Sequence, residues 1–338
     1  MATTRVFRTS STPTTQTGFR NRIINGDFRI DQRNNGALKN NSSPNTALAT
    51  TFGADRWLVS EQVTGTGFSQ RASDGTGADK YYLSISRPSS LNALIIAQRI
   101  EAINSYDLAG KTVTLSFRAA ILGGYTSLSW KASYANTTDS FGSFSSPTKT
   151  QIATGNVTVG SSFNSYSATF TVPSAATTGI EISFYNTNIS IDATTLRISN
   201  VQLELGSVAT PFEQRPIGTE LALCQRYYQN IVTPNATTDF NGLMVRESTT
   251  QAQASVYLPV SMRITPALVG SYLGRSVFRD TSFNVAAGAN SAVSVSSSGP
   301  SVSWITLIIT HAAVAGTYIY AEWDLLNTTT NLGLNAEL

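Results

Sequence analysis

Cysteine is almost missing from this 338-residue chain. The one residue, Cys224, excludes an internal disulfide and any Cys-rich zinc site, so the fold must hold without covalent staples and suits a reducing compartment. Histidine is as scarce: His311 is the one imidazole available as a base. It sits in the apolar run "WITLIITHAAVAG", where a buried or interface histidine is commoner than a catalytic one. Charged residues make up only 13% of the chain against 41% hydrophobic, so cores are affordable and Thr, Ser, Asn and Gln must cover the surface. The net charge is +3 with no basic run, so the electrostatic footprint of a nucleic-acid binder is lacking. No stretch reaches the roughly twenty apolar residues of a membrane-spanning helix, which argues against membrane insertion. The first residues lack the apolar centre of an export signal.

Short alternating segments are what the chain has in quantity. In "KTVTLSFRA", Val113, Leu115 and Phe117 share one face and Thr112, Thr114, Ser116 and Arg118 the other. The segments "YSATFTV" and "GIEISFY" repeat the pattern, and Gly, Asn and Asp turns punctuate them. The fold class is therefore all-β: a jelly-roll or β-sandwich module, a short central helix, then a smaller C-terminal β-sandwich domain. Four parts follow in order. Residues 1–21 are an extended arm, 22–212 the jelly roll, 213–232 a helical connector and 233–338 the C-terminal β domain. In "LRISNVQLEL" the apolar phase switches between Ser199 and Asn200, which predicts a β-bulge there. "GTYIYAEWDLL" is apolar in both phases, and its Trp323 reads as core or subunit interface, whereas Trp57 reads as core.

The one helix lies in "RPIGTELALCQRYYQNI", with Gly218 or Thr219 as N-cap and Glu220 in the first turn. Ile217, Leu221, Cys224, Tyr228 and Ile231 follow at spacings of four, three, four and three. That heptad rhythm fits a short seam between identical chains, or equally one amphipathic helix packed on its own sandwich.

Sugar binding suits this surface best. A sugar needs an aromatic platform for its C–H face and neutral hydrogen-bonding groups for the rest. Tyr125, Trp130, Tyr134 and Phe141, with Phe144, fall in or beside the loop-rich stretch "GGYTSLSWKASYANTTDSFGSFSS", and Trp130 and Tyr134 share a strand phase. The alternative for Trp130 is the sandwich core. A glycosidase would need two carboxylates across a cleft, and Asp55, Glu61, Glu101, Asp107, Glu181 and Asp192 offer many pairings. Glu101 and Asp107 read more simply as partners of Arg99 or Lys111. No nucleophile motif is found and no catalytic residue is assigned. No cofactor is called for beyond a structural calcium on Asn25, Asp27 and Asp31; the alternative is that Asp27 closes the Asn-Gly-Asp turn before Phe28.

Four motifs, in order, resemble a family of bacteriophage tail-fibre and related virion proteins: "NRIINGDFRIDQR", "GADRWLVS", "QRIEAINSYDLAGKTVTLSFRAA" and "ISNVQLELGSVATPFEQRPIGTELALCQRYYQ". The ending "NLGLNAEL" is similar to the close of such fibres. The resemblance covers roughly residues 21 to 230. It implies a non-catalytic adhesive or structural protein with a carbohydrate-binding jelly-roll module, a homotrimer on the virion surface, assembled in the host cytoplasm. Its partners would be other virion proteins of tail or capsid and a host cell-surface glycan. The arm would dock on the particle through Arg5, Val6, Phe7 and Arg8. A purely structural head or tail component and a glycan hydrolase remain as alternatives.

Overall fold

A computed structural model describes residues 19–40, 50–63, 67–73, 80–87, 91–189, 194–232, 243–269, 275–279, 285–295, 302–311, 320–324 and 332–338. Arg5, Val6, Phe7, Arg8 and Asp192 lie outside the described residues.

Twelve strands build the first unit: β1 (Lys39–Asn40), β2 (Thr50–Ala54), β3 (Trp57–Val63), β4 (Phe68–Ser73), β5 (Tyr81–Arg87), β6 (Leu91–Ile100), β7 (Thr112–Leu122), β8 (Ser127–Ala135), β9 (Lys149–Thr158), β10 (Asn164–Thr171), β11 (Ile180–Ile189) and β12 (Thr194–Leu205). They form two six-stranded antiparallel sheets. Sheet A has the order β1-β4-β5-β12-β7-β10 and sheet B the order β2-β3-β6-β11-β8-β9. Chain neighbours such as β11 and β12 fall in opposite sheets, the interleaving that makes a jelly roll. The alternation read from the sequence places Val113, Leu115 and Phe117 of sheet A against Ile180, Ile182 and Phe184 of sheet B in one buried cluster. Trp130 belongs to that cluster: it is 6% exposed and stacks on Phe170 at 5.6 Å between ring centroids. Its cross-strand partner is Gly155, where an added Cβ would come within 2.7 Å of the indole.

The bulge lies where the phase switch puts it. Ser199 opposes Arg118 and Gln202 opposes Ser116, so Asn200 and Val201 together face Phe117, and Asn200 takes φ +50°. The extra residue turns both Ile198 and Val201 inward. Beyond it, β12 accepts the N-terminal segment: Val201 N–H donates to Gly26 O at 2.9 Å and Arg22 N–H to Leu203 O at 2.9 Å. Gly26 is needed for this approach, since a Cβ there would sit 2.1 Å from Val201 O.

The helix α1 (Ile217–Gln225) spans nine residues and begins after Pro216, whose side chain makes no capping bond, ahead of the expected Gly218 or Thr219. Glu220 does not serve the helix dipole alone; buried, its carboxylate pairs with Arg215 and accepts from the backbone N–H of Asn25. The heptad ends with the helix. Cys224 and Tyr228 are buried in the chain's own body, at 0% and 3% exposure, and Tyr228 and Ile231 belong to the next strand, β13 (Tyr228–Val232). Of the expected seam, Ile217 is exposed and Leu221 half-buried. The helix therefore carries only Ile217, Leu221 and Cys224 of the five, and Cys224 and Tyr228 are covered by the chain itself.

The remaining strands are β14 (Leu243–Arg246), β15 (Gln251–Tyr257), β16 (Ala267–Val269), β17 (Arg275–Arg279), β18 (Val285–Val295), β19 (Trp304–His311), β20 (Tyr320–Asp324) and β21 (Leu332–Asn335). Two stacked sheets were expected here; the strands instead close as β14-β15-β19-β18-β17-β20, an antiparallel barrel that removes open edges, while β13-β21-β16 form a small separate sheet. His311 ends β19 opposite Asn290, and Trp323 lies on β20 opposite Ser276.

The chain's last residues return to the first unit. Glu337 pairs with Arg33 at 3.1 Å and with Arg56, and Arg263 donates to Ala336 O and Glu337 O. Arg33 lies between the rings of Phe52 and Tyr228, 3.8 and 3.7 Å from their centroids, and Arg56 lies 3.4 Å over Tyr227. Beside them Asp55 is 1% exposed and accepts from Gln32 N–H and Nε2. Burial outweighs Arg33 and these hydrogen bonds and pushes its carboxyl up to about 6.

Two outcomes follow. Trp130→Ala empties the core and is expected to cost about 3–5 kcal/mol in denaturant unfolding, whereas Tyr106→Ala, at a position 59% exposed, should stay within about 0.5 kcal/mol. Because Asp55 binds its proton more tightly folded than unfolded, its stabilising contribution is complete below about pH 4 and is lost as pH rises through about 6, on the order of 2–3 kcal/mol. Asp55→Asn should remove that part of the pH dependence, read as the difference in urea stability between pH 4.5 and 7.5. Equal slopes for the two proteins would refute it.

Candidate functional site

The turn expected to hold calcium is committed to the chain itself. Asn25 Nδ2 donates to Ile30 O and Asp55 O, and its Oδ1 accepts from Ile30 N–H. Asp27 pairs with Arg29 at 2.5 Å, and Asp31 accepts from the N–H groups of Asn34 and Gly36. Burial raises both carboxyls above the ordinary carboxylate value. Among the described residues no group of three or more His, Cys, Asp or Glu is placed to hold a metal.

The expected aromatic platform is dispersed. Trp130 is core, as above, and Phe141 is 1% exposed with Arg99 lying 5.2 Å from its ring centroid. Tyr125 and Tyr134 are half-buried against the sandwich core. Phe144 folds over the outer face of sheet B onto Leu58 and Ala97. The loop bends inward because its own residues bond across it, with Thr148 N–H donating to Phe141 O at 3.0 Å and Asn136 N–H to Thr148 O at 2.9 Å. On the rest of that sheet face the polar groups are paired with one another: Tyr185 OH with Thr154 Oγ1, Ser129 with Asn156, and Lys131 over the Tyr185 ring.

The carboxylates weighed for hydrolysis are likewise engaged. Glu181 is bound by Arg99 at 3.0 Å and by Lys149. Glu101 pairs with Arg226 at 3.1 Å and lies 3.8 Å from Arg263, and Asp107 pairs with Arg22 at 2.5 Å. Neither therefore takes the Arg99 or Lys111 expected from its neighbourhood in the chain. Asp55, Glu61, Glu101 and Glu181 are all at most 2% exposed.

A concave site lies elsewhere, at the end of the sandwich, where three elements leave a cavity of about 500 Å³. One wall is the N-terminal segment, with Phe19, Asn21, Arg22 and Ile24. Another is a pair of 3-10 turns, Ala102–Asn104 and Tyr106–Leu108, which carry Ile103, Asn104, Tyr106 and Asp107. The floor is Leu223 of α1 with Tyr227 and Arg56. The turns hold their side chains outward because buried Ser105 and Leu108 anchor them: Ser105 Oγ donates to Glu101 O at 2.9 Å, and Leu108 N–H to Ser105 O. Ile103, Tyr106 and Phe19 are left 70%, 59% and 44% exposed. Arg22 braces the rim, donating to Asn104 O at 3.2 Å as well as pairing with Asp107. The site thus joins two exposed aromatic rings, an exposed aliphatic side chain and amide and guanidinium donors around a volume suited to a small ligand. Sequence reading missed it because "AINSYDLAG" reads as a turn; the signal was an apolar residue and an aromatic, Ile103 and Tyr106, with no periodic strand to bury them.

No protein-family model and no curated protein matches the chain. Solved structures do. A carbohydrate-binding module of family CBM4 is 18% identical over 54% of this chain and 98% of its own, with a TM-score of 0.34. The xylan-binding CBM22-2 domain of Paenibacillus barcinonensis Xyn10C is 18% identical over 47% of this chain and all of its own, with a TM-score of 0.29. The enzymatically active domain of tailspike protein 4 from bacteriophage CBA120 is 20% identical over 49% of this chain, which spans only 21% of that protein's length, with a TM-score of 0.33. Each is a likeness of about half of this chain.

Proposed function

We propose that this chain is a glycan-binding protein that holds a neutral saccharide in the cavity between Phe19 and Tyr106 without turning it over. The observation that carries the reading is the pair of exposed aromatic rings, Phe19 and Tyr106, contributed by two different segments to a cavity also lined by Asn104, Arg22 and Asp107. Rings of this kind cover the apolar face of a sugar, and the amide and charged groups take its hydroxyls. Asp107 is the one carboxylate among the lining residues, and it is held by Arg22. Hydrolysis by acid and base or nucleophile needs two, so the lining supports binding over cleavage.

The ordered sequence motifs support placing the protein on a virion, as a homotrimer that meets a host-surface glycan while its arm, Arg5 to Arg8, docks on tail or capsid. Three copies would convert weak sites into avidity. Among the seam residues whose burial is described, Ile217 and Leu221 keep surface for a partner. Light scattering on the full chain tests this directly. The expected mass is three times 36.1 kDa, and a monomer would sink the trimer.

Calorimetric titration with neutral hexose and N-acetylhexosamine oligosaccharides should show saturable binding with the oligosaccharide recovered intact. Tyr106→Ala should weaken the best ligand about tenfold, the loss of one stacking contact of about 1–1.5 kcal/mol. Undiminished binding by that variant, or shortening of the ligand with time, would overturn the reading.

A further inference from the structure

The outer face of sheet A differs in chemistry from the cavity. Its six strands hold Lys39, Arg71, Arg87, Arg118 and Arg197 and one acid, Glu204, with Lys39 and Arg71 in the inward phase of Ser69 and Leu83. Glu204 lies past the bulge and is taken by Arg20 at 3.3 Å and by Thr210. Two of the cations, Arg118 and Arg197, stand on the face away from the core, since Phe117, Ala119, Leu196 and Ile198 beside them point into it. Arg118 opposes Ser199, and Arg197 opposes Ala120 one step along the same ladder, so the two are diagonal neighbours on β7 and β12. Sheet geometry sets such positions about 7–8 Å apart.

Both guanidinium groups rest on rings. Arg197 lies 5.3 Å from the centroid of Tyr82, Arg118 lies 5.9 Å from that of Phe163, and the two rings meet edge to face at 5.5 Å. Arg197 pairs with no carboxylate and donates to no acceptor among the described residues. Arg118 donates to Phe163 O at 3.0 Å, whereas the Arg197 fork, resting on a ring, can be offered to a carboxylate. Around them the outward positions include the hydroxyls of Ser84 and Ser86 on β5, Ser116 on β7, Ser167 and Thr169 on β10 and Thr195 on β12, with Ala120 opposite Arg197 and Ser86 and Thr195 sharing a hydrogen bond at 3.2 Å.

We propose that this face binds an acidic saccharide, with the carboxylate of a uronic-acid unit accepted by Arg197 beside Arg118 and its hydroxyls by the serines and threonines around them. The site is separate from the cavity at the sandwich end and does not depend on it.

The test uses the full chain and a pair of ligands that differ only in charge, an oligogalacturonate and its methyl ester, titrated by calorimetry at low salt. The acid should bind at least tenfold more tightly than the ester. Raising NaCl should shrink that ratio, Arg197→Gln should abolish it, and Arg197→Lys should keep part of it. Tyr106→Ala should leave it intact, which separates this site from the cavity. Equal affinity of the native protein for acid and ester would overturn the proposal whether or not any variant folds. So would a ratio that survives Arg197→Gln in a protein with native circular dichroism. Displacement of the acid by equimolar inorganic phosphate would make this a general anion site and overturn the saccharide assignment.

Discussion

Asn25 is the residue on which the rest of the first unit depends. It is fully buried, and every polar group it owns is used. Its amide side chain bridges Ile30 and Asp55, its backbone N–H goes to Glu220 of α1, and its carbonyl accepts from Trp57 Nε1 at 2.9 Å and Phe28 N–H at 3.1 Å. One residue thereby joins the N-terminal loop, the β2–β3 turn and the helix. An unmade bond at such a point would cost about 1–3 kcal/mol, and substitution of Asn25 would break several together. The backbone at Asn25 is left-handed, φ +56°, a conformation that Asn tolerates better than most residues.

Strain gathers around this knot. Phe28 takes φ +57° although it is a large aromatic, and Arg56 takes φ +71°. Phe28 can hold that conformation because it is wholly buried against Trp57, with ring centroids 5.0 Å apart. Arg56 holds it between Tyr227 and Glu337, with a further bond to Arg99 O. Residues in such backbone regions cost on the order of 1–3 kcal/mol each and persist only where their surroundings fix them. The buried arginines Arg33 and Arg56 do part of that fixing. Burial lowers the basicity of both, Arg33 to about 10, which still leaves it charged at neutral pH.

Local pattern was legible in the sequence and long-range partnership was not. The two-residue period of Val113, Leu115 and Phe117 gave the strand and its inward face, and the phase change from Ile198 to Val201 gave the bulge, because each is a rule about neighbours along one strand. The helix start was placed two or three residues late, at Gly218 or Thr219 instead of Pro216. Its seam was not, because Cys224 and Tyr228 are apolar at heptad spacing whether they meet another chain or their own, and nothing in the spacing says that the helix stops at Gln225. Trp130 stayed open between platform and core because Gly155, which makes room for its indole, lies twenty-five residues away. The cavity needs Phe19, Tyr106 and Leu223 together, and no period links them. Charge pairing failed for the same reason: Glu101 has Arg99 two residues away, yet its partners are Arg226 and Arg263.

The return of the last residues to the first unit sets an order of events in synthesis. Asn25 meets Glu220 across 195 positions and Arg33 meets Glu337 across 304. The sandwich strands can pair as they leave the ribosome, but the loop from Asn21 to Gly36 has no helix to bind until Glu220 is made, and its contact through Arg33 to Glu337 waits for the last residues. Contacts of such separation form slowly, since the chain entropy of closure is lost before they reward it. Until then residues 21–36 leave an open core edge, and this segment, though synthesised before the strands it closes on, becomes native after them.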